Sequence, residues 1–187
     1  MVITINGRPG SGKSTVARRL AEHLGVPRFY AGDAFRKMAR ERGLTAVEFN
    51  KVGEVEPEID RLTDELVVKF ANEHSDCVIE SRTGFHLIPA SLKIFLDVTP
   101  EEGSRRIFSS LKKGDDRNED HDLTTPEKVL ASVKTRIASE AIRYQKYNGV
   151  NIFDPSHYDL FLDTTDLTTD QVFDRVTQFV AQRQKNA

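Results

Sequence analysis

The amino-acid sequence predicts an α/β sandwich built on a five-stranded, mostly parallel sheet. Three observations lead there. Short apolar runs alternate with helical stretches along the whole chain. Two of the runs, 76–80 and 92–97, are largely apolar without a strict alternation, as in strands buried on both faces. A glycine-rich turn separates the first run from the first helix. At 187 residues the chain suits one domain with a full hydrophobic core, and neither an internal repeat nor a domain linker interrupts it.

Taken in order, Val2-Ile3-Thr4-Ile5 is a β-branched run, and Ser14 to Leu24 repeats apolar residues at helical spacing through Val16, Leu20 and Leu24 until Gly25 ends it. Arg28-Phe29-Tyr30 reads as a second strand, and Asp33 as the N-cap of a helix to about Glu41. Thr45 to about Val52 and Pro57 to about His74 are helical, with Pro57 suited to a first turn. The third and fourth strands are the two apolar runs. Pro100 to about Leu111 is a helix, residues 112–122 are a polar, solvated excursion, and a long helix spans Pro126 to about Tyr147. Tyr158 to Asp163 supplies the last strand, and Thr168 to about Arg183 a terminal amphipathic helix. In sheets of this kind ligands bind beyond the carboxyl ends of the strands.

Composition narrows the function classes. A net charge of −2 and a pI near 6.2 argue against a broad nucleic-acid footprint. No apolar run has the length of a membrane span, and the opening MVITING lacks the basic flank of a secretory signal, so a cytoplasmic monomer acting on small molecules is expected. The single cysteine, Cys77, lies in an apolar run without metal-ligand spacing and reads as core. The five histidines show no ligand spacing either.

The strongest motif is Gly7-Arg8-Pro9-Gly10-Ser11-Gly12-Lys13-Ser14, which fits G-x-x-x-x-G-K-[ST] and lies between a strand and a helix. Glycines let the backbone wrap an anion, Lys13 is suited to the β and γ phosphates of ATP, Ser14 to Mg²⁺ with waters, and Thr15 to the α phosphate. A GTP-dependent switch would show N-K-x-D and D-x-x-G. The nearest approach to the first, Asn50-Lys51-Val52-Gly53, lacks the Asp, and the second is absent from the sequence. A phosphotransferase and a nucleotide-binding protein without turnover both remain open at this point.

Phosphoryl transfer needs positive groups on both phosphates, so arginines are expected where strands end. Arg82 follows the third strand, Arg36 lies one turn into the helix after the second, and Arg61 sits in the helical segment between them; all three are expected to face one cleft. Arg136, Glu140 and Arg143 share one helix face by their i, i+4, i+7 spacing, either as an anion site or as a solvated ion-paired face. Arg105, Arg106 and Arg117 are candidates for a lid. Glu80 ends a central strand where it can hold a Mg²⁺-bound water or meet the acceptor.

With these residues in view the chain resembles the nucleoside monophosphate kinases, and among them the short cytidylate kinases typical of archaea. Beyond the glycine-rich loop the likeness rests on Ala31-Gly32-Asp33 with Phe35-Arg36, on 39–44 and 48–51, on Pro57 to Arg61, on Arg136 to Tyr144, on 147–152 and on Tyr158-Asp159-Leu160. The resemblance implies an adenylate-kinase-like P-loop fold in three layers, with a helical acceptor insert over about 32–74 and a lid near 105–125. It implies ATP and Mg²⁺ with CMP or dCMP as acceptor; UMP, AMP or a shikimate-like metabolite is the alternative of the same class. Gly32, Asp33, Arg36, Arg61, Glu80, Arg82, Arg136, Glu140 and Arg143 would then bind the acceptor, with Arg36, Arg82 and Arg143 on its phosphate. Ser81 stands where the resemblance implies a bare glycine turn.

Overall fold

The computed structural model describes residues 1–112 and 123–185. Among them five strands form one parallel sheet: β1 (Val2–Gly7), β2 (Arg28–Tyr30), β3 (Cys77–Glu80), β4 (Leu92–Asp97) and β5 (Leu160–Asp163), in the order β2-β3-β1-β4-β5. The helices are α1 (Lys13–Leu24), α2 (Ala31–Glu41), α3 (Ala46–Gly53), α4 (Glu58–Glu73), α5 (Gly84–Leu87), α6 (Pro100–Leu111), α7 (Pro126–Asn148) and α8 (Thr169–Lys185). A single 3-10 turn covers Pro155–His157.

Alternation along β1 sets the layers. Ile3 and Ile5 pack with Val16 and Leu20 of α1 and with Val172, Val176 and Val180 of α8. Thr4 and Asn6 face the other way, Thr4 sharing a hydrogen bond with Ser91. On that second face α4 adds Val67 to Cys77 and Ile79, and Phe85, Tyr144 and Ile152 form another apolar group. Cys77 is core as expected, and burial pushes its thiol up from the ordinary range. Burying these chains from water is the main favourable contribution to folding. The helices α2 to α4 carry a small core of their own, Ala39, Phe49 and Ile59 packed with Phe35 and Met38.

Local chemistry fixes most helix ends. Thr45 accepts from the Glu48 N–H while the Glu48 carboxylate accepts from the Thr45 N–H, a reciprocal cap that starts α3. Thr99 and Thr125 cap α6 and α7 just ahead of Pro100 and Pro126. One cap differs from expectation. Asp33 does not cap α2, because the helix follows β2 without a loop: Tyr30 is the cap and Asp33 lies inside the first turn, where its carboxylate accepts from Arg36 at 3.1 Å. The short α5 and the 3-10 turn have no counterpart in the sequence pattern, being too brief to show a period.

Chain order reverses around β1: β3 lies on one side of it and β4 on the other, both parallel. Ile5 is in register with Glu80, so the loop after β1 and the segment after β3 open side by side at the carboxyl edge of the sheet.

Candidate active site

Two pockets open at that edge, and Lys13 lines both. The first follows the glycine-rich loop. Gly10 and Gly12 have φ of 80° and 85°, the left-handed region that glycine enters without strain, and Gly12 is the residue from which α1 starts. Gly10 also sits against the backbone of Gly103 in α6, leaving no room for a side chain. Gly10 to Val16 line this pocket together with Glu102, Arg105 and Arg106 of α6 and Thr165 to Thr169 before and at the start of α8. Gly7 and Pro9 are buried beneath it, and Arg8 turns sideways, donating to Asp97 at 2.7 Å and lying over the Phe153 ring at 4.5 Å.

The second pocket is lined from α1, β2, α2, α3, α4, β3 and α7 and from the segment after β3. Lys13, Gly32, Phe35, Arg36, Asp60, Glu80, Arg82, Arg136, Glu140 and Arg143 all reach it. The sequence-derived face of α7 is therefore inward: Glu140 and Arg143 are 2% and 1% exposed, which rules out the solvated ion-paired face. One oxygen of Glu140 accepts from both Arg82 Nη2 and Arg136 Nε at 3.0 Å. Burial opposes the charge on Glu140, but Arg82, Arg136 and Arg143 outweigh it and hold the carboxyl down to about 2. Burial, then the positive charges of Arg82 and Arg136, lower the Lys13 ammonium to about 7 against the opposing pull of Glu80 and Glu140. This is a site with surplus positive charge, arranged for a strongly anionic ligand.

At the seam between the pockets Ser14 Oγ donates to Glu80 at 2.6 Å, and the other Glu80 oxygen is 3.7 Å from Arg28. Ser81 occupies its turn comfortably: its hydroxyl accepts from the Thr83 N–H at 3.2 Å, so the side chain braces the turn that precedes α5.

Several expected residues lie elsewhere. Arg61 does not face this cleft: it is held on the outer face of α4 by Glu58 and Glu65, because consecutive helical residues point about 100° apart and Asp60 takes the inward direction. The Asp33 side chain is largely exposed beside Arg36. Arg105 pairs with Glu102 at 2.6 Å on the surface. Arg106 is no swinging group: it donates to Glu102 and to the carbonyls of Gly10, Thr164, Thr165 and Leu167, tying the glycine-rich loop to the segment before α8. Arg117 lies outside the described residues.

Sequence reasoning missed the groups that aim Arg82. Asn6 accepts from Arg82 Nη1 at 3.2 Å and donates to Tyr158 Oη at 2.8 Å, and Tyr158 in turn donates to the Ile152 carbonyl. A polar residue closing a buried strand directly before the loop was the available signal for Asn6. The sequence pattern places Tyr158 in the last strand, but β5 begins at Leu160, and the Tyr158 hydroxyl reaches Asn6 instead. Asp60 and Asp64, which line the deep end of the pocket, were equally hidden in the charged pattern of α4.

Comparison with known proteins agrees with this architecture. A family model described as the cytidylate kinase-like family matches residues 2–166. The chain is 37% identical to a protein named cytidylate kinase from Halobacterium salinarum, covering 98% of this chain and 93% of that one. It is 38% identical to a cytidylate kinase from Methanospirillum hungatei, with 100% and 99% covered. In three dimensions it is similar to a shikimate kinase from Bacteroides thetaiotaomicron, with a TM-score of 0.64 at 14% identity over 97% of this chain and 98% of the other, a likeness of fold alone. Full-length identity to these relatives, together with the family match, shows that the chain belongs to the cytidylate kinase-like family.

Proposed function

We propose that this protein is a nucleoside monophosphate kinase that transfers the γ-phosphoryl group of ATP to CMP or dCMP, releasing ADP and CDP or dCDP. The observation that carries the reading is that Lys13 lines both the pocket of the glycine-rich loop and the pocket of buried arginines, so one cation touches both partners of a transfer. In this reading residues 7–15 wrap the triphosphate of ATP. The acceptor phosphate meets Arg36, Arg82 and Arg143, while Glu140 fixes Arg82 and Arg136 beside them. One acceptor phosphate oxygen attacks the γ phosphorus as the bond to the β–γ bridging oxygen breaks and ADP leaves. No general base is needed, since the attacking phosphate is already an anion, and positioning with charge stabilisation supplies the rate.

The Ser14 hydroxyl and the adjacent Glu80 carboxylate offer the hard oxygen donors that would hold Mg²⁺ with its waters. When bound, the ion neutralises the crowded phosphates; Lys13 and the arginines orient the groups that react. The whole chain acts as one P-loop domain, α2 to α4 forming the acceptor insert over about 32–74; residues 113–122 of the lid expected near 105–125 lie outside the described residues. No helix among the described residues is long and apolar enough to cross a membrane, and the reading carries a cytoplasmic monomer that acts on nucleotides rather than nucleic acid.

The test is ADP release from ATP and Mg²⁺ with CMP, dCMP, UMP, AMP and GMP offered singly beside a control without acceptor. Turnover that requires CMP or dCMP is the expected result. Equal ADP release without any acceptor contradicts the assignment.

A further inference from the structure

Asn6 is the penultimate residue of β1, directly ahead of the glycine-rich loop, and it lines neither pocket. It is 1% exposed. Ile5 is in register with Glu80, and the Ser81 N–H donates to the Ile5 carbonyl at 3.2 Å, so the next side chain along β1 stands opposite the turn that carries Arg82.

The neighbours dictate which way the Asn6 amide points. Two of them only donate: the Gly7 N–H, 2.7 Å from Asn6 Oδ1, and Arg82 Nη1 at 3.2 Å. Two only accept: the carbonyls of Arg82 and Ile152, at 3.1 Å and 3.4 Å from Asn6 Nδ2. Tyr158 Oη also accepts from Nδ2, at 2.8 Å, because its own proton goes to the Ile152 carbonyl. One amide thus holds Arg82 twice, by its carbonyl and by its guanidinium. Arg82 Nη1 donates to the Gly7 carbonyl as well, and Arg82 Nη2 donates to Glu140 at 3.0 Å, so the guanidinium is fixed from β1 on one side and from α7 on the other. An apolar side chain of the same length would orphan these buried groups, and a carboxylate would face two carbonyls.

We infer that Asn6, oriented by Tyr158, is a positioning residue of the transfer: it touches no substrate and acts by holding the Arg82 guanidinium toward the pocket that Arg82 shares with Lys13. This rests on the kinase reading above and adds a residue to it. A free arginine has many rotamers to lose each time a phosphate arrives, whereas one already fixed meets the phosphate without that cost. Because Asn6 Oδ1 binds the Gly7 N–H and Arg82 together, it also sets the acceptor arginine relative to the glycine-rich loop, across which the phosphoryl group passes.

The experiment is a double-mutant cycle on kcat/KM for CMP: wild type, Asn6→Ala, Arg82→Ala and the double variant, each assayed well below its own melting temperature. Asn6→Ala is expected to lose about 10-fold or more. In the Arg82→Ala background the same change should cost less than about threefold, because a residue that acts through Arg82 has nothing left to hold. Loss by one common factor in both backgrounds, as general damage to the fold produces, overturns the inference and leaves the kinase reading standing; so does a single variant as active as the wild type. A wild-type protein that transfers nothing to any nucleoside monophosphate overturns the inference and the kinase reading together. Should Asn6→Ala not fold, Tyr158→Phe keeps the ring against Phe85, Phe95 and Phe161 and removes only the hydroxyl that orients the amide. Carried through the same cycle, it is expected to lose about threefold alone and nothing further beside Arg82→Ala; equal loss in both backgrounds, or none in either, overturns the inference.

Discussion

In the pocket of the glycine-rich loop the lining comes largely from one short segment, Gly10 to Val16, backed by α6 and the segment before α8. The pocket beside it draws on α1, α2, α3, α4, β3 and α7, and its arginines are aimed by residues as distant as Asn6 and Tyr158. One is a backbone structure with a local spelling; the other is a convergence of side chains that exists only once the sheet order has brought β1 and β3 together. The first is therefore expected to tolerate change around it and to fail when its single cation goes. The second is expected to fail piecemeal, with selective effects on the acceptor.

Lys13→Ala attacks the point common to both pockets. It should lower kcat by at least about 100-fold, since it removes charge from the transferring phosphoryl group. Thermal stability should not fall, because a buried ammonium lowered to about 7 is a cost to the folded state rather than a support. Calorimetric unfolding beside steady-state kinetics checks both halves of that statement; a near-normal rate would remove Lys13 from the chemistry.

Arg82→Ala separates the pockets. A loss of about 100-fold in kcat/KM for the acceptor is expected while the dissociation constant for ATP, measured by titration calorimetry, changes by less than about threefold. Equal losses on both sides would move Arg82 to the donor.

Glu140→Gln tests what holds the acceptor arginines together. The folded-state carboxyl is held to about 2, below its unfolded value, so the stability it contributes is present above the unfolded pKa and is lost as pH falls from about 4.5 toward 2. The variant should lose stability at neutral pH, where three arginines are left with less compensation, and its stability should fall less steeply than the wild type's across that acid window. Parallel acid-unfolding curves would contradict the buried ion cluster. Arg61→Ala should do least: an exposed arginine between Glu58 and Glu65 is expected to leave kcat/KM for CMP within about twofold of the wild type.

The same contrast explains what could be read before the structure. The glycine-rich loop and the strands follow from a glycine motif between strand and helix and from apolar runs, whereas the i, i+4, i+7 positions of Arg136, Glu140 and Arg143 put them on one face of α7 without saying whether that face turns inward. In sequence a cation such as Arg61 looks like the anion ligand; which of two adjacent helical residues turns inward depends on how α4 docks through Ile59 and Val67. Asp33 looked like a cap since nothing in the sequence says that β2 runs into α2 without a loop. Arg106 looked mobile because its four backbone carbonyl partners belong to segments far away along the chain. Long-range side-chain contacts have no period and no local signature, and the acceptor pocket is made almost wholly of them.

The central claim is that phosphate passes directly from one pocket to the other across Lys13. Following the label of γ-labelled ATP through a single turnover with excess enzyme tests it most directly. The account predicts that with CMP present the label appears in the β phosphate of CDP, and that without CMP it stays in ATP. Label released to water at the same rate with and without CMP would contradict it.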